Sequence, residues 1–126
     1  MKAFLIDPKA QSITEVDYSG DYQDIYALIE ADTFDVVRLY PTGDGAFIDD
    51  EGLLKEQEFF WAHRNYPGLL AGRGLVLGVD EEGESAAPAV TLQHLGNDIT
   101  FTTLEHLKTM AALRVIAQML REEEEA

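Results

Sequence analysis

The chain has no cysteine among its 126 residues. Without a thiol it has no disulfide framework, no thiolate metal site and no cysteine nucleophile. A domain of this length buries roughly two-thirds of the surface of its unfolded chain, so it needs no covalent or metal staple in order to fold. The lack of cysteine also fits a reducing compartment.

Basic residues are scarce as well. Nine Lys and Arg stand against 24 Asp and Glu, which gives a formal net charge of −15 at pH 7. A surface of this charge repels nucleic-acid phosphates and anionic lipid headgroups, so we expect neither direct nucleic-acid binding nor membrane binding. The charge favours a host protein with a basic surface as partner, or else it serves only solubility.

Long hydrophobic runs are missing too. The first run, Ala3–Ile6, stops at Asp7-Pro8. A secretory signal needs roughly 7–15 apolar residues and a bilayer span about 18. We therefore expect a cytoplasmic protein. The length predicts a single domain over residues 1–126, with a frayed acidic tail at 121–126.

The most informative stretch that is present runs from Tyr66 to Asp80. Gly72 and Gly74 free the backbone on either side of Arg73, because glycine adopts positive φ angles without a Cβ clash. The run Leu75–Val79 is too short for a helix and is closed by turn residues, which predicts a buried strand. We expect this strand at the middle of the fold.

Hydrophobic periodicity along the rest of the chain predicts an α+β fold, with a mixed, mainly antiparallel sheet and two main helices at about 22–31 and 103–122. A third, short helix begins after the cap Thr91 and is predicted to stop at Gly96-Asn97. Further strands are predicted at 3–6, 13–16, 34–40, 46–48, 58–63 and 99–102, with a helical turn at Leu53-Leu54.

The last predicted helix has an unusually wide apolar face. Thr102 or Thr103 is expected to cap it, and Thr102 with Glu105 fits a capping box. Its apolar residues exceed what one side of a sheet covers. Two interpretations follow: the helix 103–122 pairs with a second copy in a homodimer, or it is clamped between two sheet faces.

The Gly72-Arg73-Gly74 loop is the candidate ligand site. Arg73 and neighbouring backbone N–H groups can hold a phosphate or carboxylate, with the nearby Trp61 as an aromatic wall. The loop lacks both the Walker spacing and the dinucleotide fingerprint. The alternative is a purely structural loop in which Arg73 pairs with an acid such as Asp49 or Asp50.

Two acidic clusters are candidate interaction surfaces, and they consist of Asp49, Asp50 and Glu51, and of Asp80, Glu81 and Glu82. Neither has the ligand spacing of a calcium loop, and the three histidines lack a recognisable zinc spacing. We therefore predict no metal and no cofactor. No Gly-x-Ser-x-Gly elbow is present, so no catalytic residue is identified.

Several stretches together resemble a domain-of-unknown-function family of small proteins from phages, plasmids and other mobile elements. They are Lys2–Pro8, Ile13–Val16, Ile25-Tyr26 with Ile29, Asp49–Leu53 and, above all, Leu70–Gly78. The resemblance covers roughly residues 1–100 and implies an accessory gene, with no activity attached.

Three functions are therefore open. The first is a non-catalytic accessory interaction protein, such as an acidic modulator that occupies the basic surface of a host nucleic-acid-binding protein by imitating the spacing of phosphates. The second is a binder of small anions or nucleotides at the Arg73 loop. The third is a hydrolase with a cleft that the sequence does not identify.

Overall fold

The computed structural model of the protein describes residues 1–125. Within these residues it contains three α-helices and two sheets of antiparallel strands, which confirms the α+β class. In chain order they are β1 (Lys2–Asp7), β2 (Ser12–Asp17), α1 (Gln23–Ile29), β3 (Asp35–Arg38), β4 (Gly45–Ile48), a 3-10 turn (Gly52–Leu54), β5 (Phe59–His63), β6 (Leu70–Ala71), β7 (Gly74–Val79), β8 (Ser85–Ala86), α2 (Leu92–Asp98), β9 (Ile99–Thr103) and α3 (Leu104–Glu125).

The main sheet is built around β7, as the apolar run predicts. Its strands lie in the order β2-β1-β7-β4-β3, and β8 pairs with the end of β7. Leu75, Val76 and Leu77 are all at most 2% exposed. A strand with no polar face must be covered on both sides. In the structure, other elements pack on both faces of β7.

A second, smaller sheet covers one face of the main sheet. Its strands lie in the order β6-β5-β9. Trp61 of β5, Phe4, Ile6 and Val76 share one hydrophobic cluster with Leu95 of α2. On the other face, Ile25 and Ile29 of α1 pack against strand residues whose side chains point away from the first cluster, namely Ala3, Leu75 and Leu77. The fold is therefore layered as α1, main sheet, and second sheet with α2.

The sequence correctly predicts the β1–β2 hairpin, the turn at Gly52–Leu54 and the Thr91 cap, whose hydroxyl accepts from the His94 N–H at 3.1 Å. Helix α1 is shorter than the predicted span, because Glu30 takes a left-handed φ of 56° and ends it. Within residues 1–125, every strand pairing is antiparallel, so there are two antiparallel sheets rather than one mixed sheet.

Three details of the helices are corrected. Helix α2 continues through Gly96 and Asn97 to Asp98. At the start of α3, Thr103 accepts from the His106 N–H at 3.1 Å. The buried Thr102 hydroxyl has no hydrogen-bond partner among the described residues, so the predicted capping box is wrong. Helix α3 runs on to Glu125, beyond the predicted end at 122, and Ala126 lies outside the described residues. That the acidic tail at 121–126 frays stays a prediction.

Candidate functional site

Arg73 lies between two carboxylates at the start of β7. Its guanidinium is 3.6 Å from Asp7 Oδ2 and 3.3 Å from Glu30 Oε1, and it also donates to the Leu28 carbonyl at the end of α1. The predicted pairing with Asp49 or Asp50 is wrong, because Asp49 pairs with Lys55 and Asp50 accepts from the Thr33 hydroxyl. Arg73 is therefore neutralised within its own chain.

The residues around Arg73 explain the shape of the loop. Gly72 has a φ of +78°, a conformation that favours glycine. A Cβ on Gly74 would lie 2.8 Å from Trp61 Cζ2, so glycine is needed for the two sheets to meet there. Trp61 is fully buried, and its indole N–H donates to the Gly72 carbonyl at 3.1 Å. Trp61 therefore stabilises the loop from the protein interior, and its ring is not accessible to a ligand.

A cleft of about 290 Å³ does open beside Arg73. It lies between the β1–β2 turn, the end of α1 and the Gly72-Arg73 backbone, and its charged lining residues are Asp7, Lys9, Glu30, Asp49 and Arg73. Two cations face three carboxylates there. Because the lining has no excess of positive charge, its electrostatics do not select an anion over a neutral polar molecule.

The two acidic clusters lie far apart. Asp49 follows β4, whose Ile48 pairs with Gly74, and Asp80 follows Val79 at the opposite end of β7. Because a strand rises ~3.3 Å per residue, roughly 17 Å separates those two ends. Asp49 is buried, and Asp80 Oδ1 accepts from the backbone N–H groups of Glu82 and Glu84. Asp50, Glu51, Glu81 and Glu82 remain exposed.

The structure also contains a buried polar network that the sequence does not reveal. Tyr40 donates to Asp98 Oδ2 at 2.7 Å, and His63 Nε2 lies 2.9 Å from the Tyr40 hydroxyl. The Asn65 N–H donates to His63 Nδ1 at 3.1 Å, so the His63 proton is on Nε2 and donates to Tyr40. The chain of donors thus runs from His63 through Tyr40 to Asp98.

The environment fixes the charge of each member of this network. Burial lowers the pKa of His63 and keeps it neutral, while burial and the bond to Asp98 raise the pKa of Tyr40. The hydrogen bond from Tyr40 lowers the pKa of Asp98 and keeps it ionised. At neutral pH the network therefore offers neither a free base nor an activated hydroxyl.

Asp98 also contacts two basic side chains at the edge of this network. Arg64 lies 3.5 Å from Asp98 Oδ1 and His94 lies 3.3 Å from Asp98 Oδ2, and both basic side chains are largely exposed. They line a shallow depression with Thr91, Gln93 and Asn97. Among residues 1–125, no group of three His, Cys, Asp or Glu side chains is arranged to hold a metal ion. The network joins the β3–β4 loop, β5 and α2.

Helix α3 is the most exposed element. It packs against β9 at its start, where the Leu104 N–H donates to the Glu58 carbonyl at 2.8 Å. From Lys108 to Glu124 every residue is exposed. Large apolar side chains on this helix are 42–60% exposed, namely Met110, Leu113, Val115, Ile116, Met119 and Leu120. The interpretation of α3 as a helix clamped between two sheet faces is wrong.

None of the helices described within residues 1–125 combines the length and the apolar character that a bilayer span requires. One family model matches residues 1–97, and its description is Domain of unknown function (DUF3846). The match ends one residue before Asp98, so β9 and α3 lie outside it. No curated protein and no solved structure is significantly similar to the chain.

Proposed function

Because the chain belongs to the family Domain of unknown function (DUF3846), which supplies no activity, we propose a function from the geometry: a non-catalytic interaction protein whose binding element is α3. The observation that carries this proposal is the row of large apolar side chains on α3 that the other residues of the described part of the chain leave exposed. Exposed apolar surface that is continuous along an element is typical of protein–protein interaction sites. The resemblance to accessory proteins of mobile elements supports the same proposal, and we place the protein in the cytoplasm.

The acidic body adds a preference for the partner. A net charge of −15 attracts a basic surface, such as that of a host nucleic-acid-binding protein. The wide separation of the two acidic clusters argues against imitation of a regular row of phosphates. We therefore assign the acids a steering role and α3 the contact itself.

The test compares the full chain with the triple variant Leu113→Ser/Ile116→Ser/Leu120→Ser by sedimentation velocity. Fluorescently labelled chains are measured alone and in host extract, and Gln118→Ser on the polar side of α3 is the matched control. We expect the natural chain and Gln118→Ser to sediment as a complex in at least one condition. The triple variant should sediment at the monomer mass of 14.0 kDa.

Sedimentation of the natural chain as a monomer in every condition would contradict the proposal. So would a complex that the triple variant forms equally well. A salt series on any complex with a host protein tests the charge preference, because attraction between exposed charges weakens as ionic strength rises.

A small polar ligand in the Arg73 cleft is a second candidate function, favoured by the 290 Å³ opening at the predicted loop. A hydrolase at the same place is less well supported, because Asp7, Glu30 and Asp49 are each engaged with a cation. Thermal unfolding in the presence of nucleotides and common anions tests the ligand. A rise in melting temperature that Arg73→Gln abolishes would support it, and no rise with any compound would contradict it.

A further inference from the structure

We propose that the partner of α3 is α3 of a second copy, and that the two helices pair antiparallel about a two-fold axis near Val115. This inference rests on the proposed function, because it names the occupant of the same surface. Three features of the helix carry it: the width of its apolar arc, the order of its charges and its position outside the closed body.

The apolar arc is widest in the second half of α3. At 100° per residue, the apolar residues between positions 112 and 120 cover roughly 200° of the helix circumference. They are Ala112, Leu113, Val115, Ile116, Ala117, Met119 and Leu120, and the narrow polar side holds Arg114, Gln118 and Arg121. Ile116 lies at the centre of the arc and is 52% exposed.

The order of charges decides the orientation of the pair. Between His106 and Arg121 the helix has basic residues and no acid, and Glu122–Glu124 then follow directly. A parallel pair would place the glutamates of both copies side by side, and Lys108 beside Lys108. Like charges at the same level of two helices repel each other, so the parallel arrangement is disfavoured.

An antiparallel pair centred on Val115 reverses this for Lys108 and His106, whereas Glu105 still lies at the glutamate end of the partner helix. Residues equally far from the centre then lie at the same level, which brings Glu122 of one helix beside Lys108 of the other. On the opposite flank of the arc, Glu124 meets His106 in the same way. Within residues 1–124 Lys108 forms no intramolecular ion pair, so it is available to the second copy. The acidic end of each helix also lies near the positive end of its partner's macrodipole.

The overlap is long enough for a defined interface. Helix α3 has 22 residues and is therefore about 33 Å long. In the antiparallel arrangement the end of each helix reaches the base of the other. Leu53 and Leu104 line a further cleft there, and Leu53 is 64% exposed. These side chains extend the apolar contact beyond the helix pair itself.

The absence of cysteine makes the geometry directly testable. We would prepare Lys108→Cys and Glu122→Cys in full-length chains, label one of them with ¹⁵N, and cross-link with a short bis-maleimide. The antiparallel pair predicts a product that joins one labelled and one unlabelled chain when the variants are mixed, and none when either is treated alone. Gln118→Cys, on the polar side of the arc, is the control and should give no dimer.

Charge substitutions test the register independently. Lys108→Glu should raise the dissociation constant of the dimer about tenfold, because the symmetry places the altered pair in the interface twice. Glu122→Lys should have a similar effect, and combining both changes in one chain should restore most of the affinity. Failure of the double variant to recover would overturn the proposed register.

The outcomes separate this inference from the proposed function. Cross-linking of Lys108→Cys with itself would indicate a parallel pair and overturn the inference. A natural chain that is monomeric alone, yet forms an α3-dependent complex in host extract, would also overturn the inference while leaving the proposed function standing. Co-sedimentation of the monomer with vesicles of anionic phospholipid would overturn both.

Discussion

The body of the protein and its last helix use similar apolar residues in opposite ways. In β7, Leu75, Val76 and Leu77 lie between two layers and are almost completely buried. In α3, side chains of the same kind, such as Leu113 and Ile116, are about half exposed. The family match covers the body as far as Asn97 and excludes α3. Stability therefore resides in the body, whereas the association that we propose would use α3.

The largest expected effect is on the body. Trp61→Ala removes a fully buried ring and the hydrogen bond to Gly72, so the free energy of unfolding should fall by ~3–5 kcal/mol. Urea unfolding followed by circular dichroism measures this loss. Leu54→Ala, at a residue that is 86% exposed, is the control and should change the free energy by less than ~0.5 kcal/mol. Equal effects of the two changes would contradict the layered packing.

A smaller loss is expected where the two sheets meet. Gly74→Ala places a Cβ 2.8 Å from Trp61 Cζ2, and overpacking of this kind costs ~1–3 kcal/mol of folding free energy.

The matched control is Gly96→Ala in α2. A Cβ there would meet no atom closer than 4.0 Å, and alanine favours a helix by ~1 kcal/mol over glycine. The two glycine substitutions should therefore change stability in opposite directions, and a shared direction would refute the close contact at Gly74.

The body is also the part of the fold that the sequence predicts best. The apolar run of β7, the β1–β2 hairpin and the Thr91 cap depend on local pattern, and the structure confirms them. The division into two sheets depends on pairing between strands that are distant in the chain. Strand β5 could pair with β7 or with β9, and the structure pairs it with β9. Nothing in the short strands themselves encodes that choice.

The polar network and the Arg73 pairs could not be predicted for the same reason. Tyr40 and Asp98 are 58 residues apart in the chain, and Arg73 lies 45 residues from its acceptor on Leu28. Acids are abundant in this sequence, so composition alone does not indicate which of them Arg73 meets. The wide apolar face of α3 is visible in the sequence. Whether that face is buried depends on the packing of other elements against it, which the sequence of the helix does not determine.

The next effect concerns pH. Burial lowers the pKa of His63, so below the pKa of an unfolded histidine, about 6.5, the unfolded chain binds a proton that the folded chain does not. Stability should therefore fall as pH falls from 7 towards 5. Protonation would also place a proton on Nδ1, where the Asn65 N–H already donates. Melting temperatures measured across this range check the prediction.

His63→Gln is the control for the pH dependence. Glutamine keeps a donor for Tyr40 but does not titrate, so the slope between pH 7 and 5 should become flatter. The lowered pKa of Asp98 adds a second loss, which begins only as pH falls below about 4, near the pKa of an unfolded aspartate. An unchanged slope in His63→Gln would show that other groups cause the acid sensitivity.

The smallest effect on folding is expected in α3. Ile116→Ser exchanges residues of similar helix propensity at a position that is 52% exposed. At low micromolar concentration, where a weak dimer is dissociated, the free energy of unfolding should change by less than ~0.5 kcal/mol. At high concentration the same variant should sediment as a monomer while the natural chain sediments as a dimer. A loss of stability comparable to that of Trp61→Ala would mean that α3 packs on its own body in solution, and the contrast between the two regions would disappear.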